Sequence, residues 1–366
     1  MLPQGMVLVT EKDGAIAAIV NETDAGIDVQ DLNGILCPGF INAHCHIELS
    51  HMKGIIAEHG GLVNFVQQVM LKRKEIHREE IFSAMLCAEN ELYNSGTVAV
   101  GDICNGTDSV ELKKKSLLYW HNFIEVSGFT DAVAQERLKN AEDILLSFVN
   151  SHPALGNSLS PHAPYSVSKK MFELINEKTA GQIISIHNQE AAAENELYQY
   201  KTGNFLNLYK NLGIDARNFL PTGKTSMQSW MPYFTNKQKI IAVHNTFTSA
   251  QDMDNYPPPT AYCICINANI YIENKLPPVD LLIKNNCPIA LGTDSYASNR
   301  QLNMMEEIKS IQKYFPHIAL QQILQWATLN GAKALGIENT FGSFEKGKKP
   351  GLVLIDIEKG VSKKIH

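Results

Sequence analysis

"GILCPGFINAHCH" (residues 34–46) is an apolar run, broken by one Pro-Gly pair, that ends in two histidines one residue apart. In extended chain His44 and His46 project from the same face, because Cβ atoms alternate across a strand. Both imidazoles can then reach one metal ion. An H-x-H pair alone fits equally well two polar residues at the end of a strand, so the rest of the chain has to decide.

Seven further stretches have the same build, an apolar or β-branched run ending in polar residues. They are "GTVAVGDICN" (96–105), "LLYWHNFIEVSG" (117–128), "ALGNSLSPHAP" (154–164), "QIISIHNQE" (182–190), "KIIAVHNTF" (239–247), "AYCICINANI" (261–270) and "CPIALGTDS" (287–295). Between them lie segments of helical period, such as 64–96, where apolar residues recur at three and four and Gly96 closes the pattern. Eight strand–helix alternations predict an α/β chain folded as a (β/α)8 TIM barrel over residues 39–339, with its site at the C-terminal ends of the strands. His44, His46, Glu125, His162, His187, Glu190, His244 and Asp294 all fall at or just beyond such ends. Residues 1–38 and 340–366 carry short strand-like pieces ("MVLVT", "AIAAIV", "GLVLID"), each too small to bury a core alone. The two ends are expected to pair into one small β-domain.

Composition narrows the function classes. The chain has 366 residues, 44% hydrophobic and 19% charged, with a net charge of −6, which is ordinary for a globular protein and offers no electrostatic footprint for nucleic acid. Its longest basic run, "KKK" at 113–115, reads as a solvated face. No apolar stretch approaches a membrane span, and the N-terminus lacks a basic region followed by an apolar one, so a cytoplasmic protein is expected. Seven scattered cysteines argue for reduced thiols in the core, Cys263 and Cys265 included.

A histidine on an apolar strand is more often a satisfied core residue than a ligand. Here His187 ends "QIISI" with Glu190 three residues on, His244 ends "KIIAV", and Asp294 ends "PIALGT". Four strand ends carrying imidazole or carboxylate in one barrel mouth favour the metal reading. The words "PGFINAHCH" (38–46), "SPHAPYSVS" (160–168), "HNQEAAAE" (187–194), "VHNTF" (243–247), "ALGTDSYASN" (290–299) and "GSFEKGKKPGLVLID" (342–356) resemble the metal-dependent amidohydrolase superfamily, specifically its chlorohydrolase and deaminase branch. That resemblance covers nearly the whole chain. It implies a distorted (β/α)8 barrel beside a small β-sandwich built from both termini.

The resemblance also implies His44, His46, His187 and Asp294 as metal ligands, with zinc foremost or iron as the ion. Relatives with two metals bridge them by a carboxylated lysine at the end of the fourth strand. "ALGNSLSPHAP" has no lysine, so one divalent metal is expected. Such an ion lowers the pKa of a bound water toward neutrality. By the same resemblance Asp294 and His244 orient the water and take its proton, and Glu190 protonates a ring nitrogen and helps expel ammonia. Glu190 also reads as a carboxylate opening the helix "EAAAENELYQY", where the helix dipole favours it.

Glu48, Glu125, His162 and Asn269 are the candidate substrate contacts. For His162 and Asn269, a capped turn and a loop amide are equally good readings. Glu48, two residues past His46, suits either substrate or a supporting bond to His46, and His51 beside it is open in the same way. The H-I-E string at 46–48 lacks the P-C-x-x-C partner of cytidine-type zinc deaminases, and that reading is rejected. The expected activity is a mononuclear aminohydrolase acting on a heterocyclic amine, with purine nucleosides foremost. "GKTSMQSW" (223–230) and H-x-H-x-E-x-S most resemble the aminodeoxyfutalosine deaminases of that family. A cyclic amide or imidazolone hydrolase and a catalytically silent metal-binding homologue are the alternatives. The expected partner is a small-molecule substrate, with no nucleic acid or membrane and with room for a homodimer.

Overall fold

A computed structural model describes residues 5–73, 76–253 and 258–365. Its strands in chain order are β1 (Met6–Thr10), β2 (Ile16–Asn21), β3 (Ile35–Pro38), β4 (Phe40–Cys45), β5 (Thr97–Cys104), β6 (Tyr119–Val126) and β7 (Gly156–Pro161). They continue as β8 (Ile183–Asn188), β9 (Lys239–His244), β10 (Ala261–Ile264), β11 (Ile289–Leu291), β12 (Leu352–Asp356) and β13 (Val361–Lys364). Each of the eight expected strands is present.

β4 to β11 form two parallel four-stranded sheets, ordered β4-β5-β6-β7 and β11-β10-β9-β8. Adjacent strand residues go to opposite sides. Phe123, Ile241, Cys263 and Ala290 join one buried cluster, whereas their neighbours Ile124, Ile240, Ile264 and Leu291 pack with helix residues such as Leu138, Ile175 and Ile308. Burial on both faces is why these strands read as continuous apolar runs rather than as alternating ones.

The sheets meet at two seams. At one, the His187 N–H donates to His162 O (2.9 Å) and the Ser185 N–H to Ser160 Oγ (3.1 Å). At the other, Cys45 and Asp294 form an isolated parallel bridge, and the N–H groups of Thr293 and Asp294 both donate to His44 O at 3.1 Å. Among the described residues no continuous ladder closes the eight strands into one barrel, so the expected closed barrel is seen as two parallel halves.

Both chain ends contribute to one sheet, ordered β13-β12-β3, and β1 and β2 form a separate hairpin. The hairpin is tied to the C-terminal segment by Ile16 N–H to Lys348 O and Gly347 N–H to Ile16 O, both 2.8 Å.

Two expectations change. The helical stretch 64–96 is two helices, Leu62–Lys72 and Arg78–Asn94, with residues 74 and 75 outside the described chain. The second starts after an extended His77, and Glu79 and Glu80 in its first turn suit the helix dipole. "AYCICINANI" is strand only to Ile264; Ile266–Glu273 is helix. The Glu307 carboxylate, from the helix Met304–Tyr314, accepts from Asn267 N (3.2 Å) and Nδ2 (2.9 Å) and so satisfies a free donor at that helix start.

Candidate active site

His44 and His46 leave the end of β4, His187 and His244 the ends of β8 and β9, and Asp294 follows β11. The structure brings all five together, buried. His46 Nε2 lies 3.1 Å from His44 Nε2 and 3.2 Å from His187 Nε2, and Asp294 Oδ1 is 3.4 Å from His46 Nε2 and 3.6 Å from His44 Nε2.

Hydrogen counting shows what this cluster is suited to hold. His187 Nδ1 faces the carbonyl of His162 at 2.8 Å and must donate to it, so the neutral ring has a lone pair on Nε2. A proton on His46 serves one of its two nitrogen neighbours well but not both, whereas a shared cation serves all three. Nitrogens about 2.0–2.1 Å from a tetrahedral ion lie roughly 3.3 Å apart, close to the separations seen here. Buried His44 Nδ1 and His46 Nδ1 have no hydrogen-bond partner. The residues therefore fit one divalent transition metal held by three imidazoles and a carboxylate.

Electrostatics point the same way. Burial pushes His46 down to about 3 and His187 well below the usual histidine range, which keeps both rings neutral. Burial by itself raises Asp294, but the His44 hydrogen bond and the neighbouring His46 and His244 outweigh it and hold the carboxyl well below its usual range. Glu190 is the opposite case. Burial, then Asp294 and Glu194, push it well above the ordinary carboxyl range, which favours the protonated form.

Glu190 Oε1 faces His244 Nε2 at 3.6 Å. His244 Nδ1 lies 2.8 Å from Asn269 Oδ1, an acceptor, while Asn269 Nδ2 donates to His244 O at 3.3 Å. Nδ1 therefore carries the proton, and the buried, unpartnered Nε2 is free to accept one. Burial lowers His244 to about 4.

His244, Asn245 and Asp294 have φ of 70°, 56° and 58°, left-handed conformations that non-glycine residues seldom adopt. Two of the three, His244 and Asp294, join the cluster, whereas Asn245 Nδ2 donates to Ala242 O (2.9 Å) and Cys263 O (3.3 Å), and a sequence pattern does not reveal such bends. Ser298, also missed, donates to Asp294 Oδ2 at 2.5 Å and aims the other carboxylate oxygen at the histidines. Its only signal was its place in "ALGTDSYASN".

The candidate substrate residues divide. Asn269 is buried in the helix Ile266–Glu273 and holds His244. Glu48 is buried and accepts from Asn105 N (3.0 Å), Gly106 N (3.1 Å) and Ser109 Oγ (3.0 Å), anchoring the loop after β5. Neither ring nitrogen of His51 has a partner. Glu125 and His162 stay near the cluster, their ligand-type atoms within 4.8 Å of one another and of His187. The solvated reading of "KKK" fails at Lys113, which is buried and bound to Asp102 Oδ2 (2.5 Å) and Asn122 Oδ1 (2.8 Å). Asp102 and Asn122 lie on β5 and β6, partners that the basic run alone does not disclose.

The sequence model of the amidohydrolase family matches residues 35–365. The chain is 24% identical to the 5'-deoxyadenosine deaminase of Methanococcus maripaludis strain C7, over 98% of this chain and 83% of that protein. It is 27% identical to the aminodeoxyfutalosine deaminase of Nitratiruptor sp. (91% and 81%). It is also 28% identical to the 5-methylthioadenosine/S-adenosylhomocysteine deaminase of Thermoanaerobacter pseudethanolicus (89% and 74%). Among solved structures, Helicobacter pylori aminofutalosine deaminase with methylthio-coformycin superposes with a TM-score of 0.77 at 24% identity, over 95% of this chain and 86% of that one. A Xanthomonas campestris adenosine deaminase with bound zinc gives 0.73 at 23% identity (96% and 80%). These likenesses show an α/β fold of parallel strands similar to that of the solved deaminases. Among the described residues, no helix is long and apolar enough to cross a membrane.

Proposed function

Because this chain belongs to the amidohydrolase family, we propose that it is a mononuclear metal-dependent aminohydrolase that deaminates a purine nucleoside. The observation that carries this is the pairing, over one metal-ligand cluster, of a histidine free to accept a proton with a carboxyl group held ready to donate one. The deaminase names of the relatives support it.

His44, His46, His187 and Asp294 would hold the ion, zinc foremost. When bound, it supplies a water of lowered pKa and positive charge beside the reacting carbon. His244 Nε2, with Asp294 beside it, would accept one proton of such a water. Glu190 protonates the ring nitrogen as the water oxygen bonds to the adjacent carbon. The bond from that carbon to the exocyclic nitrogen would then break as the amine takes the proton first held at His244; Glu190 would recover its proton from the hydroxyl, so that ammonia leaves and a ring carbonyl remains. Asn269 and Ser298 hold His244 and Asp294 in these orientations.

The same reading takes the two sheets as a distorted (β/α)8 barrel over 39–339 beside a small sandwich from 1–38 and 340–366. It places the enzyme in the cytoplasm, where its free thiols stay reduced. An ammonia-release screen over adenosine, 5'-deoxyadenosine, methylthioadenosine, S-adenosylhomocysteine and aminodeoxyfutalosine, with metal assayed on the same protein, tests it. Turnover of at least one nucleoside with stoichiometric ammonia is expected. Ring opening of a cyclic amide with no ammonia from any nucleoside would replace the reading by a cyclic amide hydrolase.

A further inference from the structure

Glu125 and His162 stand beside the metal-ligand cluster with no part in holding the ion or moving the proton. Ser166 Oγ has one hydrogen and donates it to Ala163 O (3.0 Å), so the 2.6 Å contact between Ser166 Oγ and His162 Nδ1 is an N–H donated by the ring. His162 Nε2 is then a lone pair in the neutral ring. Glu125 Oε2 faces it at 4.0 Å, too far for a hydrogen bond, while Glu125 Oε1 is fixed by Asn105 Nδ2 at 2.5 Å. Two acceptors thus face the same space. Both side chains are partly open, 11% and 20% exposed, so the space is reachable from solvent. Among the described residues no lysine or arginine pairs with Glu125. A second metal is a poor occupant, because His187, the third member of this group, is already committed to the first cluster.

We propose that Glu125 and His162 form an acceptor-only subsite that takes hydroxyl or amino donors of the substrate and excludes substrates carrying a carboxylate there. Glu48 and Asn105 are its positioning residues, since Glu48 fixes the 105–109 loop and Asn105 fixes Glu125. The inference rests on the aminohydrolase reading for the kind of substrate. It selects, within nucleosides, those whose substituents are neutral or cationic.

Adenosine-5'-carboxamide and adenosine-5'-carboxylate differ in charge but hardly in shape. Binding of both is measured by calorimetry, and ammonia release alongside, for metal-assayed wild type, Glu125→Gln and Asn105→Ala. Wild type should prefer the carboxamide by about 10- to 100-fold, as expected where like charges meet at a binding site. Glu125→Gln should lose most of that preference and Asn105→Ala part of it, with thermal midpoints confirming folded protein. An unchanged preference in Glu125→Gln, or a wild type that binds neither compound or prefers the carboxylate, overturns the subsite. A preference in binding without ammonia release leaves the subsite standing and sinks the deaminase reading instead.

Discussion

Glu190 admits two roles, and its surroundings bear on both. The helix that follows is Ala192–Tyr200, and the acidic residue in its first turn is Glu194, which accepts from Gln189 N, so Glu190 lies outside that turn. Glu190 faces His244. Glu190→Gln keeps the size and one acceptor but cannot deliver a proton; kcat should fall about 10²–10⁴-fold with metal content and thermal midpoint near wild type. A stability loss with normal kcat would remove Glu190 from the proton path. Asp294→Asn should also abolish turnover, and it should weaken metal retention as measured by elemental analysis, because it removes a charge from the ion. At this scale the ligand types were legible in the sequence, since each ends an apolar run. The roles of Glu48 and Asn269 were not, because hydrogen bonds to residues 57 and 25 positions away decide them.

The eight core strands were legible as elements because burial on both faces makes them continuous apolar runs. The helix Ile266–Glu273 was not, since its start is satisfied by Glu307 from a distant helix. Gly292, between β11 and Asp294, shows how closely the elements approach: a Cβ there would lie 2.9 Å from Cys263 Sγ and from His44 Cβ and O. Gly292→Ala should cost about 1–3 kcal/mol by forcing strands apart and should lower bound metal, read from the thermal midpoint and elemental analysis. The helix Ala192–Tyr200 carries a pH prediction. Burial raises Glu194 to about 8, although its Oε1 accepts from Gln189 N at 2.6 Å. A carboxyl raised in the folded state contributes stability that is fully present below its unfolded value of about 4.5 and is lost as pH rises through about 8. Glu194→Gln removes that titration. Its thermal midpoint relative to wild type should therefore improve from pH 5 to about 8 and level off above that; a pH-independent difference would mean that Glu194 does not titrate in this range.

For the whole molecule the consequential fact is that the candidate ligands come from both sheets. His44 and His46 belong to the sheet β4-β5-β6-β7, whereas His187 and Asp294 belong to the sheet β11-β10-β9-β8 or the turn beyond it. No continuous ladder joins the halves among the described residues, so an ion held by all four groups is a crosslink between them as well as a reaction centre. That juxtaposition is a property of how the two sheets meet and has no counterpart in any local pattern. An ion that binds only the folded chain stabilises it by about 4 kcal/mol when its free concentration is a thousandfold above Kd. At roughly 1.3 °C per kcal/mol for a chain of this size, chelation should lower the thermal midpoint by about 5 °C. Adding back one equivalent of zinc per chain should restore it, with no further gain from a second. His44→Ala should start near the chelated midpoint and respond little to either treatment. If wild type and His44→Ala responded alike to chelator, the ion would lie elsewhere, and if two equivalents were needed the mononuclear assignment would fall.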